Sequence, residues 1–145
     1  MRYSNPRVVI VLAAFAIGAC GQDTKPNLSG KWQLNAAKSQ TKLTAMSWTI
    51  EQKGSAIHLV SVTKAADGNE KTTEFRCTTD GKECLVDGIK ISLYYAGATL
   101  VEMQVSADVV SKTTMKLASD GKSVSVDVSY IVPDKEADSF LLEKS

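Results

Sequence analysis

The sequence predicts an all-β domain, an antiparallel up-and-down meander of about eight to ten strands that closes into a small barrel. From residue 28 onward, stretches of alternating or β-branched residues are repeatedly followed by a turn signal such as Asp-Gly. No stretch with helical periodicity exceeds a turn or two. Closure into a barrel is expected because it removes the exposed edges that such a meander would otherwise leave.

The alternation also places the individual strands. A short helix is expected at Ala36–Ser39. The predicted strands are Lys31–Leu34, Met46–Gln52, Ala56–Lys64, Glu70–Cys77, Ile89–Tyr95, Thr99–Ser106, Lys112–Ala118, Ser123–Val132 and Ser139–Lys144. Turns are predicted at Lys53-Gly54, Asp67-Gly68, Asp80-Gly81, Asp87-Gly88, Ala96-Gly97, Asp120-Gly121 and Pro133-Asp134.

One hairpin has a register that agrees with its apolar pattern. A two-residue loop beginning at Asp120 sets Leu117 opposite Val124 and Met115 opposite Val126. Both apolar rows then fall on one face, as an antiparallel hairpin with one buried face requires.

In a second predicted hairpin, the register does not agree with the apolar pattern. A two-residue loop at Asp67-Gly68 would match Phe75 with Val60, on the face opposite to the apolar row that contains Leu59. A bulge or a longer loop is therefore expected within Ala56–Lys64 or beside it.

The N-terminus is similar to a bacterial lipoprotein signal. A basic start is followed by an unbroken apolar run over residues 8–17, which is too short to cross a bilayer as a stable helix of about 20 residues. The next residues, Ile17-Gly18-Ala19-Cys20, resemble the lipobox. This resemblance implies cleavage before Cys20, a diacylglycerol thioether on its sulfur and acylation of the new amine. A signal anchor that happens to end in cysteine is the alternative.

This resemblance divides the chain into a signal peptide (1–19), a lipidated cysteine with a solvated tether (20–28) and a barrel domain (29–145). Two or three acyl chains would hold the protein stably at a membrane. The residue after the lipidated cysteine is Gly21 rather than aspartate. By resemblance to Gram-negative lipoproteins, this implies sorting to the outer membrane, facing the periplasm. A Gram-positive host remains open.

The charge of the predicted mature chain excludes one class of partner. Of 17 basic side chains, removal of Arg2 and Arg7 leaves 15 against 16 acidic ones, and they are spread along the chain. A nucleic-acid surface would need a basic patch. We therefore expect no nucleic-acid partner, and we expect a monomer.

If Cys20 carries lipid, Cys77 and Cys84 remain and can pair. A hairpin turn at Asp80-Gly81 would set them directly opposite, with Cα atoms about 5.5 Å apart, within the span of a disulfide. A redox function is the alternative to a structural bridge, although neither a Cys-x-x-Cys motif nor a nearby histidine supports it.

The opening of the first strand, Gly30-Lys31-Trp32, resembles the Gly-x-Trp motif of the lipocalin and fatty-acid-binding superfamily. The resemblance implies a lipocalin-like barrel in which Trp32 plugs one end and a basic residue of the last strand, here Lys144, lies across it. With the turns at residues 78–83 and 119–122, nearly all of the mature chain is similar to a group of uncharacterised secreted bacterial lipocalin-like proteins.

Few residues suggest chemistry. His58 is the single histidine, and no Ser-His-Asp, Cys-His or metal-ligand spacing accompanies it; a haem ligand is the alternative to an ordinary strand residue. Glu74, Arg76 and Glu102 are expected on a solvated outer face, with the alternative that one or two point inward to hold a polar ligand head. We therefore predict no catalytic residues, no metal, no cofactor and no enzymatic activity.

Two classes of function remain. The first is a carrier of a small apolar or amphipathic molecule, since small barrels can hold one ligand. Its candidate lining residues are Trp48, Ile91, Leu93, Met103, Met115 and Tyr130. The second is a protein-binding envelope lipoprotein, an inhibitor or accessory subunit with a packed core. Its contact surface would lie on the loops Asp67–Glu70, Asp87-Gly88 and Pro133–Asp138. We rank the carrier first.

Overall fold

A computed structural model describes residues 25–145 as an antiparallel barrel, while the predicted signal peptide and Cys20 lie outside the described residues. A short 3₁₀ helix, Ala36–Lys38, follows the first strand. The strands are β1 (Gly30–Leu34), β2 (Leu43–Lys53), β3 (Ala56–Ala65), β4 (Glu70–Thr78), β5 (Cys84–Val86), β6 (Ile89–Ala96), β7 (Thr99–Val105), β8 (Val110–Leu117), β9 (Ser123–Val132) and β10 (Asp138–Lys144).

The strands form one sheet in the order β4-β3-β2-β1-β10-β9-β8-β7-β6-β5. Except for β4 and β5, strands that follow one another along the chain pair with each other, and β1 pairs with β10, so the sheet curls almost completely onto itself. The ladder is missing between β4 and β5. The predicted all-β meander is confirmed as a nearly closed ten-stranded barrel with a gap at one seam.

The hairpin of β8 and β9 has the predicted register. Leu117 lies opposite Val124, and Met115 lies opposite Val126. Met115, Val124 and Val126 are fully buried, because each strand places every second side chain inside the barrel.

The irregular region before Phe75 is explained by a longer loop. Leu59, not Val60, lies opposite Phe75, and the β3–β4 ladder ends at Lys64 and Glu70. The amide of Ala65 donates to the carbonyl of Asn69, at 2.9 Å, across a three-residue loop. A three-residue loop shifts the pairing of the two strands by one residue relative to a two-residue loop. The apolar rows of both strands therefore point into the barrel.

The predicted hairpin at Asp80-Gly81 is wrong. The chain turns there, but instead of returning along β4 it crosses to β6, where Asp80 forms a bridge with Tyr94. The amide of Gly81 donates to the carbonyl of Leu93 at 2.8 Å. The short strand β5 then pairs with β6 alone.

The predicted pairing of Cys77 and Cys84 is nevertheless confirmed. The two residues form a disulfide with their Cα atoms 5.9 Å apart. It joins the end of β4 to the start of β5. It therefore closes covalently, at one end, the seam that no hydrogen-bonded ladder closes.

The barrel core is concentrated at one end, which we call the closed end. Leu28 and Trp32 are each 1% exposed, and Ile57, Leu93 and Leu142 are buried with them. Leu28, which the sequence places in the predicted tether, belongs to the core. At the opposite, open end, the connection between β1 and β2 contributes only the 3₁₀ helix and an irregular segment, so within residues 25–145 no longer helix covers that end.

Within residues 25–145, no helix is long and apolar enough to span a bilayer.

Candidate ligand-binding cavity

The closed end of the barrel is sealed by the N-terminal segment. The indole Nε1 of Trp32 donates to the carbonyl of Leu28 at 2.9 Å, and the amide of Leu28 donates to Oε1 of Gln52 at 3.0 Å. The Tyr95 hydroxyl accepts from Gln52 Nε2 and donates to the carbonyl of Pro26. Burial raises the pKa of Tyr95, so this hydroxyl remains a donor at neutral pH.

Lys144 of β10 lies over the same indole. It is opposite Trp32 in the ladder, and its Nζ is 5.5 Å from the ring centroid. Gly30 lies beneath the lysine stem with a φ of 141°, and a Cβ at Gly30 would lie 3.1 Å from Lys144 Cε. The absence of a side chain at Gly30 is therefore what permits Lys144 to approach the tryptophan.

The open half of the barrel contains a cavity of about 200 Å³. One part of its wall is apolar and includes Trp48, Leu59, Phe75, Ile91, Val126 and Phe140. Another part is polar and includes Ser61, Thr73, Glu102, Gln104 and Thr113. An apolar wall with a few convergent polar groups is the usual composition of a small-molecule site.

Glu102 is the most unusual residue of this cavity. Glu102 is only 5% exposed. Within the described residues, its carboxylate has one hydrogen-bond partner, Nε2 of Gln104 at 2.5 Å. Burial raises the pKa of this carboxyl, and the hydrogen bond from Gln104 offsets part of the rise. Its neighbours on β6 and β8 are Leu93 and Thr113, neither of which carries charge.

The inward orientation of Glu102 follows from the register of β7. Leu100 lies opposite Met115, and both are buried in the core. Because side chains alternate along a strand, Glu102 and Gln104 share the inner face with Leu100. The expected outer position is therefore wrong for Glu102, whereas Glu74 and Arg76 are exposed, as predicted.

The cavity opens sideways at the seam between β4 and β5. Lys71 and Glu74 of β4 line it on one side, and Val86, Asp87 and Ile89 line it on the other. Lys71, Glu74 and Asp87 are exposed. Charged side chains thus surround the opening, while Glu102 lies deeper, in the interior.

Five of the six predicted lining residues fall into three groups. Trp48 and Ile91 line the cavity. Leu93 and Met115 are fully buried in the packed core below it. The prediction for Met103 is wrong, because it alternates with Glu102 and Gln104 and so lies on the outer face, in register with Ser92 and Lys112.

Tyr130 lies in a separate groove of about 720 Å³ at the open end, between residues 40–43 and 135–138. Its hydroxyl donates to Oδ2 of Asp138 at 2.7 Å, and Lys135 Nζ is 4.0 Å from its ring centroid. Burial, together with the neighbouring Asp138 carboxylate, raises the pKa of Tyr130 to about 12. Phe140 lines both this groove and the interior cavity.

His58 lies on the outside of the barrel. Its Nε2 is 2.6 Å from Oε1 of Glu74, and its Nδ1 is 3.6 Å from Oε2 of Glu51. Neither carboxylate is buried. Among residues 25–145, no three His, Cys, Asp or Glu side chains converge to hold a metal ion.

The buried carboxyl leads to a prediction about stability. Between the unfolded pKa, near 4.5, and the raised folded pKa, the folded protein binds more protons than the unfolded one. The unfolding free energy of the ligand-free protein should therefore fall as the pH rises through this window and then level off. Each unit of difference between the two pKa values corresponds to about 1.4 kcal/mol.

Urea unfolding followed by circular dichroism over a series of pH values would measure this fall. The Glu102→Gln variant should lack it, whereas Glu136→Gln, at an exposed loop position, should retain it. An identical pH profile for Glu102→Gln and the unaltered protein would contradict the assignment.

The barrel is similar to several solved structures. Wild-type fluorescent protein UnaG matches with a TM-score of 0.58 and 12% identity over 81% of this chain and 96% of that chain. Fatty-acid-binding protein 1 of Echinococcus granulosus matches with a TM-score of 0.58 and 11% identity, over 80% and 96%. Secretory abundant heat soluble protein 4 of Ramazzottius varieornatus matches with a TM-score of 0.61 and 13% identity, over 81% and 94%.

No family model matches the chain, and no curated protein matches it. At these identities the structural likeness establishes the fold. The protein has the fold of an antiparallel barrel like that of the fatty-acid-binding proteins, as the Gly-x-Trp resemblance implies.

Proposed function

We propose that this protein is a membrane-anchored extracytoplasmic lipoprotein that carries one small amphipathic molecule inside its barrel. The observation that carries the proposal is the cavity in the open half, with an apolar wall, a polar wall and a lateral opening. A core packed only for stability would fill such a space, because voids larger than a water molecule are few in protein interiors.

The size of the cavity limits the ligand. Its volume of about 200 Å³ lies below the range of about 300–1,000 Å³ of common small-molecule sites. A fatty-acid-binding protein of Schistosoma mansoni with the same fold holds arachidonic acid. The cavity of this chain favours a shorter molecule than that.

Anchoring would leave the open end of the barrel accessible. Lys25, the first described residue, lies 4.9 Å from the ring centroid of Tyr95 at the closed end. A lipidated Cys20 would therefore attach the barrel through its closed end. Metabolic labelling with a radioactive fatty acid tests the anchor: the full-length protein should incorporate label, and Cys20→Ala should not.

Native mass spectrometry tests ligand binding directly. Residues 24–145, exported to an oxidising periplasm behind a cleavable signal, should carry a reproducible extra mass that denaturation releases. A bare protein that also takes up nothing from lipid and metabolite extracts would contradict the carrier function.

One observation favours the second candidate, a protein-binding envelope lipoprotein. Val105, Val109, Ile131 and Val132 are exposed at the open end, and Val110 connects them because it lies opposite both Val105 and Val132. Exposed apolar clusters often mark protein interaction sites. If the barrel is empty, crosslinking in the envelope with a photoreactive residue at position 109 would identify such a partner.

A further inference from the structure

The cavity contains one charged group that is almost completely buried, and it is acidic. The Glu102 carboxylate shares the interior with Gln104, Thr113 and Ser61, which are all uncharged. Among residues 25–145, the one basic side chain that lines the cavity is Lys71, and it is exposed at the lateral opening. This part of the chain therefore places no buried counter-ion beside a carboxylate ligand, and an anionic head beside Glu102 would meet a like charge.

The geometry instead suits a positive charge. An ionised carboxylate in a poorly solvated interior is strongly unfavourable unless it is paired. Gln104 satisfies only part of its capacity for accepting hydrogen bonds. An ammonium group at this position would supply both an opposite charge and several donors.

We propose that the ligand is a small primary amine with an apolar body, whose ammonium group pairs with Glu102 inside the barrel. The inference rests on the proposed carrier function and specifies the chemistry of the ligand head. The apolar body lies against Trp48, Leu59 and Ile91. The ligand enters through the seam between β4 and β5, where the cavity reaches the surface.

The proposal also gives affinity a pH dependence. Pairing with an ammonium requires the ionised form of Glu102, so binding releases the proton that burial favours in the empty barrel. The affinity for an alkylamine should therefore rise with pH as Glu102 ionises and then level off, at pH values below the pKa of an amine, near 10.4 for lysine. Besides Glu102, the charged groups that line the cavity are Lys71, Glu74 and Asp87, all exposed at its opening.

The test compares three probes with the same alkyl chain: n-hexylamine, 1-hexanol and hexanoate. Binding to residues 24–145 is measured by isothermal titration calorimetry at about pH 7.5. We expect hexylamine to bind roughly tenfold to a hundredfold more tightly than hexanol, from a charge-assisted hydrogen bond. Hexanoate should bind most weakly.

Two variants test whether Glu102 causes the preference for the amine. Glu102→Gln keeps the shape of the side chain and removes its charge, so amine and alcohol should then bind within about twofold of one another. Glu136→Gln removes an exposed carboxylate that does not line this cavity and should retain the preference for the amine. Thermal unfolding of both variants confirms that they are folded.

The outcomes separate the two proposals. If hexanol binds but hexylamine binds no more tightly, or if Glu102→Gln keeps the preference, the amine proposal is overturned and the carrier function stands. If none of the three probes binds and the exported protein also carries no extra mass, both proposals fail.

Discussion

Replacing Trp32 with alanine is expected to lower the unfolding free energy by about 3–5 kcal/mol, the usual cost of removing a buried large aromatic side chain. Trp32 is 1% exposed and belongs to the packed core at the closed end. Its Nε1 also holds the carbonyl of Leu28. The variant should therefore lose both the packing of the indole and the attachment of the N-terminal segment.

The matched control is Lys144→Ala. Lys144 is exposed and contacts the indole from outside as a cation, an interaction worth about 0.5–1 kcal/mol at an exposed site. Urea unfolding followed by far-ultraviolet circular dichroism would measure both variants. A loss below about 1.5 kcal/mol for Trp32→Ala would show that the indole does not support the closed end.

The parts of the fold that the sequence predicts correctly depend on local patterns. In β8 and β9, strict alternation and a two-residue turn fix the register of Met115 and Val126 without reference to the rest of the molecule. Counting cysteines predicts the bridge between Cys77 and Cys84. Both inferences concern residues that lie close together in the sequence.

The position of the seam could not be predicted in this way. The Asp80-Gly81 signal marks a real turn, but the direction of the chain after a turn is decided by how all ten strands close. Strand β5 has three residues, too few to show an alternating pattern. The opening of the cavity therefore depends on global geometry that local sequence does not encode.

The sequence does not predict the inward position of Glu102 on β7, for a different reason. Along this strand the apolar residues Val101, Met103 and Val105 alternate with Glu102 and Gln104, so the pattern alone favours an outer position for the glutamate. The pairing with β8 places Glu102 inside instead. Leu100 lies opposite Met115 in the core, and Glu102, two residues further along, shares its face. A strand that buries its polar row departs from the usual pattern, and such departures are expected at functional sites.

The disulfide should make the second large contribution to stability. Cys77 and Cys84 are separated by seven positions, and joining them restricts the unfolded chain. Loop-closure entropy for a ring of this size predicts a loss of about 2.5 kcal/mol in the Cys77→Ser/Cys84→Ser double variant. The native seam has no hydrogen-bonded ladder to compensate for the missing bond.

Urea unfolding of the oxidised protein and of the double variant would measure this loss. Reductant should destabilise the unaltered protein to about the level of the variant and leave the variant itself unchanged. Hydrogen exchange should show faster exchange in β5 than in β8 when the bond is absent, because β5 pairs on one side only, whereas β8 pairs on both. If the two proteins unfold at the same urea concentration, the seam is held by side-chain packing rather than by the disulfide.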